Sequence, residues 1–300
     1  MPTYPPILII LINWRQPQIT VECVHSLQKM DYPNKQYLIV DNGSGDGSLN
    51  IFRQELPFVK VLALEDNFGF AKGANAGLRY AIEEKYQFAL LINNDAFPKV
   101  DMLTKLLGSM EPDTALLSPK IYFDAEPDLV WFAGGQQHPT LLEVRNRGLG
   151  EVDGPKWQQS QDVDYLLGTC LLINLALVSQ IGFFDERYFM YYEDLDLSLR
   201  CRLAGFRLRL VTEAHLYHRV ATSSGGIDSP FRSYLIAKSG VIFFLTHHKH
   251  GKGLNIFFFR VLSSIRQVLS WLIRGNVKVA VAHIRGLRDG WILGKSATKS

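Results

Sequence analysis

Four short apolar runs, at 7–12, 37–40, 59–64 and 88–92, alternate with segments of helical spacing through the first 120 residues. At 18–30 the apolar positions are Ile19, Val21, Cys23, Val24 and Leu27, and at 71–86 Ala74, Leu78, Ala81 and Ile82 share one face. Apolar strands separated by helices predict an α/β fold, with a mostly parallel central sheet covered on both sides. Ligands of such sheets sit beyond the carboxyl ends of the strands. Two of the runs end there in acid-bearing text: DNGSGDGS follows Val40, and Asn93-Asn94-Asp95 follows Ile92.

In an extended chain the side chains of Asn93 and Asp95 project to the same side. An amide oxygen and a carboxylate suit a hard cation such as Mg²⁺ or Mn²⁺, which usually also takes phosphate oxygens. Asn and Asp equally favour turns, and the segment alone leaves both readings open. Asp41 at the other strand end can accept hydrogen bonds from a base or ribose, and the glycines after it let a ligand approach the backbone; an Asx-turn in a glycine-rich loop is the competing reading. The segment 66–77, DNFGFAKGANAG, opens a helix whose N-terminus can face an anion, with Lys72 either at a phosphate or in solvent. Glu193 and Asp194 open the helix predicted at 193–204, which stacks Leu195, Leu199 and Leu203 and closes at Gly205. These acids follow an aromatic run that includes Tyr188, Tyr191 and Tyr192. They either stabilise the helix start or act as a general base among rings that suit a sugar. His218 is either structural or a metal ligand.

Other chemistries find little support. Three widely spaced cysteines (Cys23, Cys170 and Cys201) give neither a disulfide framework nor metal spacing, and favour a reducing compartment. No GxSxG nucleophile elbow occurs. The text GWILGKS at 290–296 is one residue short of a P-loop. HHKH at 247–250 is either an adventitious metal-binding tract or, the favoured reading, a solvated face. The N-terminal text MPTYPP has no basic leader character, and nothing reaches the length of an uncharged membrane span.

Taken in order, Asn13-Trp14, VDNGSGDGS, DNFGFAKGANAGL, LLINNDA, GTCLLI, GFFDERYFMYYEDLDLSLR and His218 resemble the glycosyltransferase family 2 enzymes, inverting GT-A transferases, and within them the rhamnosyltransferase-like group. The resemblance spans about residues 6–245. It implies a GT-A fold, a Rossmann-like sheet flanked by helices, on residues 1–230. It implies that Asp41 reads the nucleobase of a nucleotide-diphosphate sugar (dTDP, UDP or GDP linked). Asn13, Asn67, Gly69, Lys72, Asn75 and Asn94 would complete the nucleotide site. Asp95, with Asn93 and His218, would hold a divalent metal (Mn²⁺ or Mg²⁺) at the D-x-D position. Asp194 would be the catalytic base, with Glu193 beside it. The implied reaction moves a hexose such as rhamnose onto a glycan or lipid-linked acceptor. Two departures stand out: Asn replaces the first Asp of D-x-D, and Lys238-Ser239 stands where relatives often carry Arg-Asn. A sugar nucleotidyltransferase would need a basic triphosphate loop near the first strand, where only Arg15 is available. A non-catalytic binding protein on the same fold would tolerate loss of Asp194.

Residues 231–300 hold 12 Lys/Arg and one acid, whereas 1–230 hold 20 Lys/Arg and 28 Asp/Glu. Within that tail, 254–274 predicts an amphipathic helix with Arg260, Ser263, Ser264, Arg266, Gln267, Ser270 and Arg274 on one side. Such a helix either lies on an anionic membrane surface or packs on the domain. No recognised module supports nucleic acid as a partner. The expected location is cytoplasmic, peripheral on the inner face of the cell membrane.

Overall fold

The computed structural model describes residues 4–219 and 229–296. Its first half alternates strand and helix as the sequence predicts: β1 (Ile7–Asn13), α1 (Pro17–Gln28), β2 (Lys35–Asn42), α2 (Ser48–Glu55), β3 (Lys60–Leu64), α3 (Phe70–Glu83) and β4 (Phe88–Asn93). A short β5 (Ala96–Pro98) and α4 (Met102–Gly108) lead into the long β6 (Thr114–Phe123). Short strands follow: β7 (Leu129–Phe132), β8 (Gly135–Gln137), β9 (Val144–Asn146), β10 (Glu151–Val152) and β11 (Gln161–Asp162). Then come β12 (Cys170–Asn174), α5 (Leu175–Ile181), α6 (Glu193–Leu203) and β13 (Arg207–His218). Three helices close the chain: α7 (Pro230–His247), α8 (Gly253–Ile273) and α9 (Val277–Ser296).

The main sheet runs β10-β7-β6-β12-β4-β1-β2-β3, with β13 paired to β6, β5 and β11. Its β3-β2-β1-β4 half is parallel, and β12 then turns the sheet antiparallel on both its sides. The register sets Asn13 beside Asp41 and Ile12 beside Asn93, so both polar strand ends lie on one edge. The mixed half adds His218, which pairs with Ala96 of β5. β1, β2 and β4 are buried on both faces, which is why they read as continuous apolar runs. Helix α3 packs on this sheet through Gly77: a Cβ there would lie 2.5 Å from Ile10 Cγ2, closer than packed atoms allow.

The C-terminal helices depart from several expectations. HHKH is only partly solvated. His247 is buried and its Nε2 lies 2.7 Å from Asp196 Oδ1 on α6, which joins α7 to the catalytic body. Ile242, Phe243 and Phe244 of α7 also belong to the main hydrophobic core. The P-loop-like text is helical, and its glycines serve helix packing. A Cβ on Gly290 would lie 2.4 Å from the Lys238 carbonyl oxygen of α7, and Gly286 and Gly294 are similarly tight. Of the leucines spaced along α6, Leu195 and Leu199 are buried and Leu203 is 51% exposed at the helix end. Helix α8 has 21 residues, and an 18-residue stretch of it has a mean hydropathy of 1.4, long and apolar enough by length and composition to cross a membrane, although it carries Arg260 and Arg266. The expectation concerned an uncharged span, and this helix carries two arginines.

Asp196 is the acid at the α6–α7 joint. Burial alone would raise its pKa, but the His247 contact and the Arg200 guanidinium outweigh that and hold it below the ordinary value. A depressed carboxylate contributes stability above its unfolded pKa of about 4, and that contribution is lost as pH falls through the lower folded value. We therefore expect His247→Phe, which keeps a ring but leaves Asp196 Oδ1 unpartnered, to cost about 2 kcal/mol in thermal denaturation at pH 7. The difference from wild type should shrink in strongly acidic buffer.

Candidate active site

A buried polar network underlies the sheet edge. Asn13 Nδ2 donates to Asp41 Oδ1 (2.7 Å), and Asn13 Oδ1 accepts from the Thr20 hydroxyl (2.9 Å). Thr20 Oγ1 in turn accepts from Asn94 Nδ2 (2.9 Å). The network thus links the end of β2 to the Asn-Asn-Asp turn through one residue of α1. Ser44 donates to Asp41 from both its hydroxyl and its backbone N–H. A carboxylate that is 2% exposed needs such donors to stay desolvated.

Beyond Asn94, Asp95 Oδ1 lies 3.0 Å from His218 Nε2, and both residues are buried. The Arg219 N–H donates to the Asp95 carbonyl (2.9 Å), which locks the end of β13 against the turn. His218 Nδ1 is buried without a hydrogen-bond partner, and Trp131 packs on its ring with centroids 4.5 Å apart. Asp95 and His218 are therefore brought together as the sequence suggested. Among the described residues no group of three or more His, Cys, Asp or Glu side chains is arranged so that it could hold a metal ion.

At the glycine-rich helix start the Phe70 N–H donates to the Phe189 carbonyl (2.6 Å). Gly69 has φ 85°, and a Cβ there would lie 2.2 Å from that same carbonyl oxygen. Asn67 Oδ1 accepts from the Gly69 N–H and from Asn42 Nδ2, which shapes the loop. Lys72 Nζ sits 3.8 Å from the Phe68 ring centroid, a cation–π contact. Asn75 is committed elsewhere: its Oδ1 accepts from the Phe184 N–H and its Nδ2 donates to the Phe184 carbonyl and to Glu186. This segment therefore clamps the aromatic run 183–192 onto α3.

That run ends in Tyr191 and Tyr192, with φ of 68° and 71°. Two consecutive left-handed tyrosines cost on the order of 1 kcal/mol each. They aim the first turn of α6, where Glu193 and Asp194 line a pocket of about 290 Å³ with Tyr165, Leu167, Tyr191 and Tyr192. Asp194 is held firmly. Its Oδ2 accepts from the Tyr165 hydroxyl (2.8 Å) and the Gly168 N–H (2.9 Å), and its Oδ1 accepts from the Leu195 N–H (2.8 Å). Burial raises its pKa above the ordinary value, and these three donors oppose that rise. Glu193 is pushed well above the ordinary range, first by burial and then by the Asp194 charge, and its Oε2 has no partner. Only Asp194 has donors that favour its charged form, so burial acts less opposed at Glu193.

The two halves of the site meet at Gly168-Thr169. The Gly168 N–H donates to Asp194, and the Thr169 carbonyl accepts from the Asn93 N–H (2.9 Å). Consecutive residues thus couple the acid on α6 to the end of β4. Sequence reasoning missed Thr20, Tyr165 and Trp131 because nothing near them in the chain marks their role. Thr20 lies 74 residues from Asn94, and Tyr165 lies 29 from Asp194.

Residues 8–158 match the family described as Glycosyl transferase family 2. The chain is 30% identical over 238 residues to an N-acetylglucosaminyl-diphospho-decaprenol L-rhamnosyltransferase of Mycobacterium tuberculosis, covering 70% of this chain and 75% of that protein. It is 20% identical to the dTDP-rhamnosyl transferase RfbF of Shigella flexneri, covering 81% of this chain and 79% of the relative. Among solved structures it is similar to the mannosyltransferase PcManGT of Pyrobaculum calidifontis in complex with GDP-Man and Mn²⁺. That TM-score is 0.59 at 14% identity, over 99% of this chain and 80% of the other. The expected GT-A fold is borne out by this likeness.

Because Asn75 holds the 183–192 segment, Asn75→Ala should lower stability by about 2 kcal/mol in denaturant titration, leaving the Phe184 backbone groups unpaired. Nucleotide affinity of the protein that remains folded should stay within about twofold of wild type. A Kd raised by more than about tenfold in folded Asn75→Ala would instead give the amide a direct role at the nucleotide.

Proposed function

The chain belongs to glycosyl transferase family 2, and on that premise we propose that it moves a hexose, rhamnose in the first instance, from a nucleotide-diphosphate sugar to a hydroxyl of a lipid-linked glycan, with inversion. The observation that carries this reading is the Gly168-Thr169 junction, which couples Asp194 to the strand end bearing Asn93-Asn94-Asp95. Base and donor-phosphate site then share one cleft, as a single displacement requires.

The geometry supports the following roles. Asp194 takes the acceptor proton as the oxygen attacks the anomeric carbon. Its three donors favour its charged form, and they fix its position. Glu193, raised by burial, would when protonated donate a hydrogen bond to the acceptor. Asp41, with Asn13 and Ser44, forms the seat of the nucleobase. Asp95 and His218 are the residues that would hold a divalent cation. The partnerless Nδ1 of His218 and the carboxylate–imidazole donor pair fit Mn²⁺. A bound cation would neutralise charge gained by the departing nucleotide diphosphate. Diphosphate oxygens would supply the ligands that two side chains cannot. The relatives' printed names, a dTDP-rhamnosyl transferase and a rhamnosyltransferase named for a diphospho-decaprenol-linked sugar, support a dTDP donor and a lipid-linked acceptor.

A membrane-peripheral placement fits α8. Leu254, Phe258, Leu262, Leu269 and Ile273 are each more than half exposed, whereas Arg260 turns inward to Glu143 (2.7 Å). The helix thus presents apolar side chains outward in the basic part of the chain, as an interfacial helix does.

Two variants test the chemistry. Asp194→Asn should lower kcat by roughly 10²–10⁴ while nucleotide binding stays unchanged, in initial-rate and calorimetric measurements. Tyr165→Phe removes a donor from the Asp194 carboxylate, so the acidic limb of the kcat/KM profile should move to higher pH. Full turnover by Asp194→Asn would remove the base assignment.

A further inference from the structure

Beside the Asp194 pocket lies a larger groove of about 640 Å³ between α7, α8 and α9. Its walls are mainly apolar and include Leu245, Ile256, Phe257, Val261, Ile265 and Trp291. The volume is in the range of sites that enclose whole ligands. The transferase chemistry uses none of it.

The groove and the pocket share a wall. Phe244 lines both. Arg260 stands at the same junction: its guanidinium lies 4.6 Å from the Phe244 ring centroid, and Nη1 is 2.7 Å from Glu143, which lines the smaller pocket. Gly240 of α7 is packed there against both Arg260 and Tyr192, at 3.2–3.3 Å from where its Cβ would be. The sequence of environments is therefore a carboxylate pocket, a guanidinium, and a long apolar groove edged by the exposed apolar side chains of α8. An amphiphile with a sugar head, a phosphate link and a hydrocarbon chain has the same order of parts.

We propose that the α7–α8–α9 groove binds the polyprenyl chain of the acceptor, and that Arg260 marks the point where its phosphate link passes into the Asp194 pocket. This rests on the reading of the site as a transferase with a lipid-linked acceptor, and it adds where the lipid sits. The chain is drawn from the membrane along α8, so its sugar hydroxyl reaches Asp194 without the lipid leaving apolar surroundings. Burying its methylenes supplies affinity independent of the sugar.

The test uses the full chain and farnesyl phosphate carrying a photoreactive diazirine at its distal end, below its micelle concentration. After irradiation, digestion and mass mapping, cross-links are expected on groove residues such as Val261, Ile265 and Trp291. Unlabelled farnesyl phosphate should displace them, and inorganic phosphate should not. Ser264→Phe, which fills the groove from α8, should reduce labelling roughly tenfold with calorimetric nucleotide binding intact. Labels spread along the outward side of α8, or groove labels displaced equally well by a diacyl phosphatidic acid, would overturn the proposal in favour of general lipid adsorption. Labelling unaffected by Ser264→Phe would overturn it too. Failure of the transferase reading is separately visible: the unmodified protein would bind no nucleotide, whatever the lipid labelling.

Discussion

The site depends on two hydrogen bonds made by consecutive residues. The Gly168 N–H holds Asp194, and the Thr169 carbonyl receives the Asn93 N–H. One bond belongs to the start of α6 and the other to the end of β4, so the two elements have little freedom to drift apart. The left-handed tyrosines at 191 and 192 then aim the α6 helix start, and the clamp from Asn75 to Phe184 holds the segment leading to them. Backbone strain persists at such places only where the surroundings fix it. Here a strained tyrosine pair lies between a strand edge and a helix that both pack into the core.

Burial sets the chemistry on both sides of that junction. Asp41, Asn13, Thr20 and Asn94 form one network under the sheet edge, and its polar groups find partners within it. Glu193 and Asp194 share a buried helix turn, but only Asp194 receives a set of donors. Desolvation raises both acids, and only at Asp194 do hydrogen-bond donors oppose the rise.

The parallel strands, their order along the chain and the two acid-bearing strand ends were legible because each is a local pattern: an apolar run, then Asp, Asn and Gly. Asp95 and His218 were legible one by one, but their contact depends on β13 pairing with β5 across more than a hundred residues. Tyr165 and Thr20 left no local mark. Lone hydroxyls in unremarkable text become important only through distant partners. Asn67, Gly69 and Asn75 were recognised as a motif, yet much of their hydrogen bonding goes to loop geometry. GWILGKS misled because glycine spacing serves helix packing as readily as phosphate binding, and here Gly290 and Gly294 face α7. The two sides of α8 were legible, but not which of them the domain would cover. The ion pair of Arg260 with Glu143 decides that, and Glu143 is 117 residues away.

The C-terminal helices therefore continue the catalytic body. His247 and Phe243 fasten α7, glycines fasten α9 to α7, and Arg260 fastens α8 beside the acid pocket. The site as proposed rests on binding of a metal-bridged nucleotide diphosphate at the sheet edge. It is tested most directly by calorimetric titration of dTDP, UDP and GDP, with and without Mn²⁺, into wild-type protein and Asp95→Ala. The account predicts that one nucleotide, dTDP first, binds tightly to wild type only with Mn²⁺ and that Asp95→Ala abolishes it. Binding of no nucleotide under any condition, or binding indifferent to both Mn²⁺ and Asp95, would contradict it.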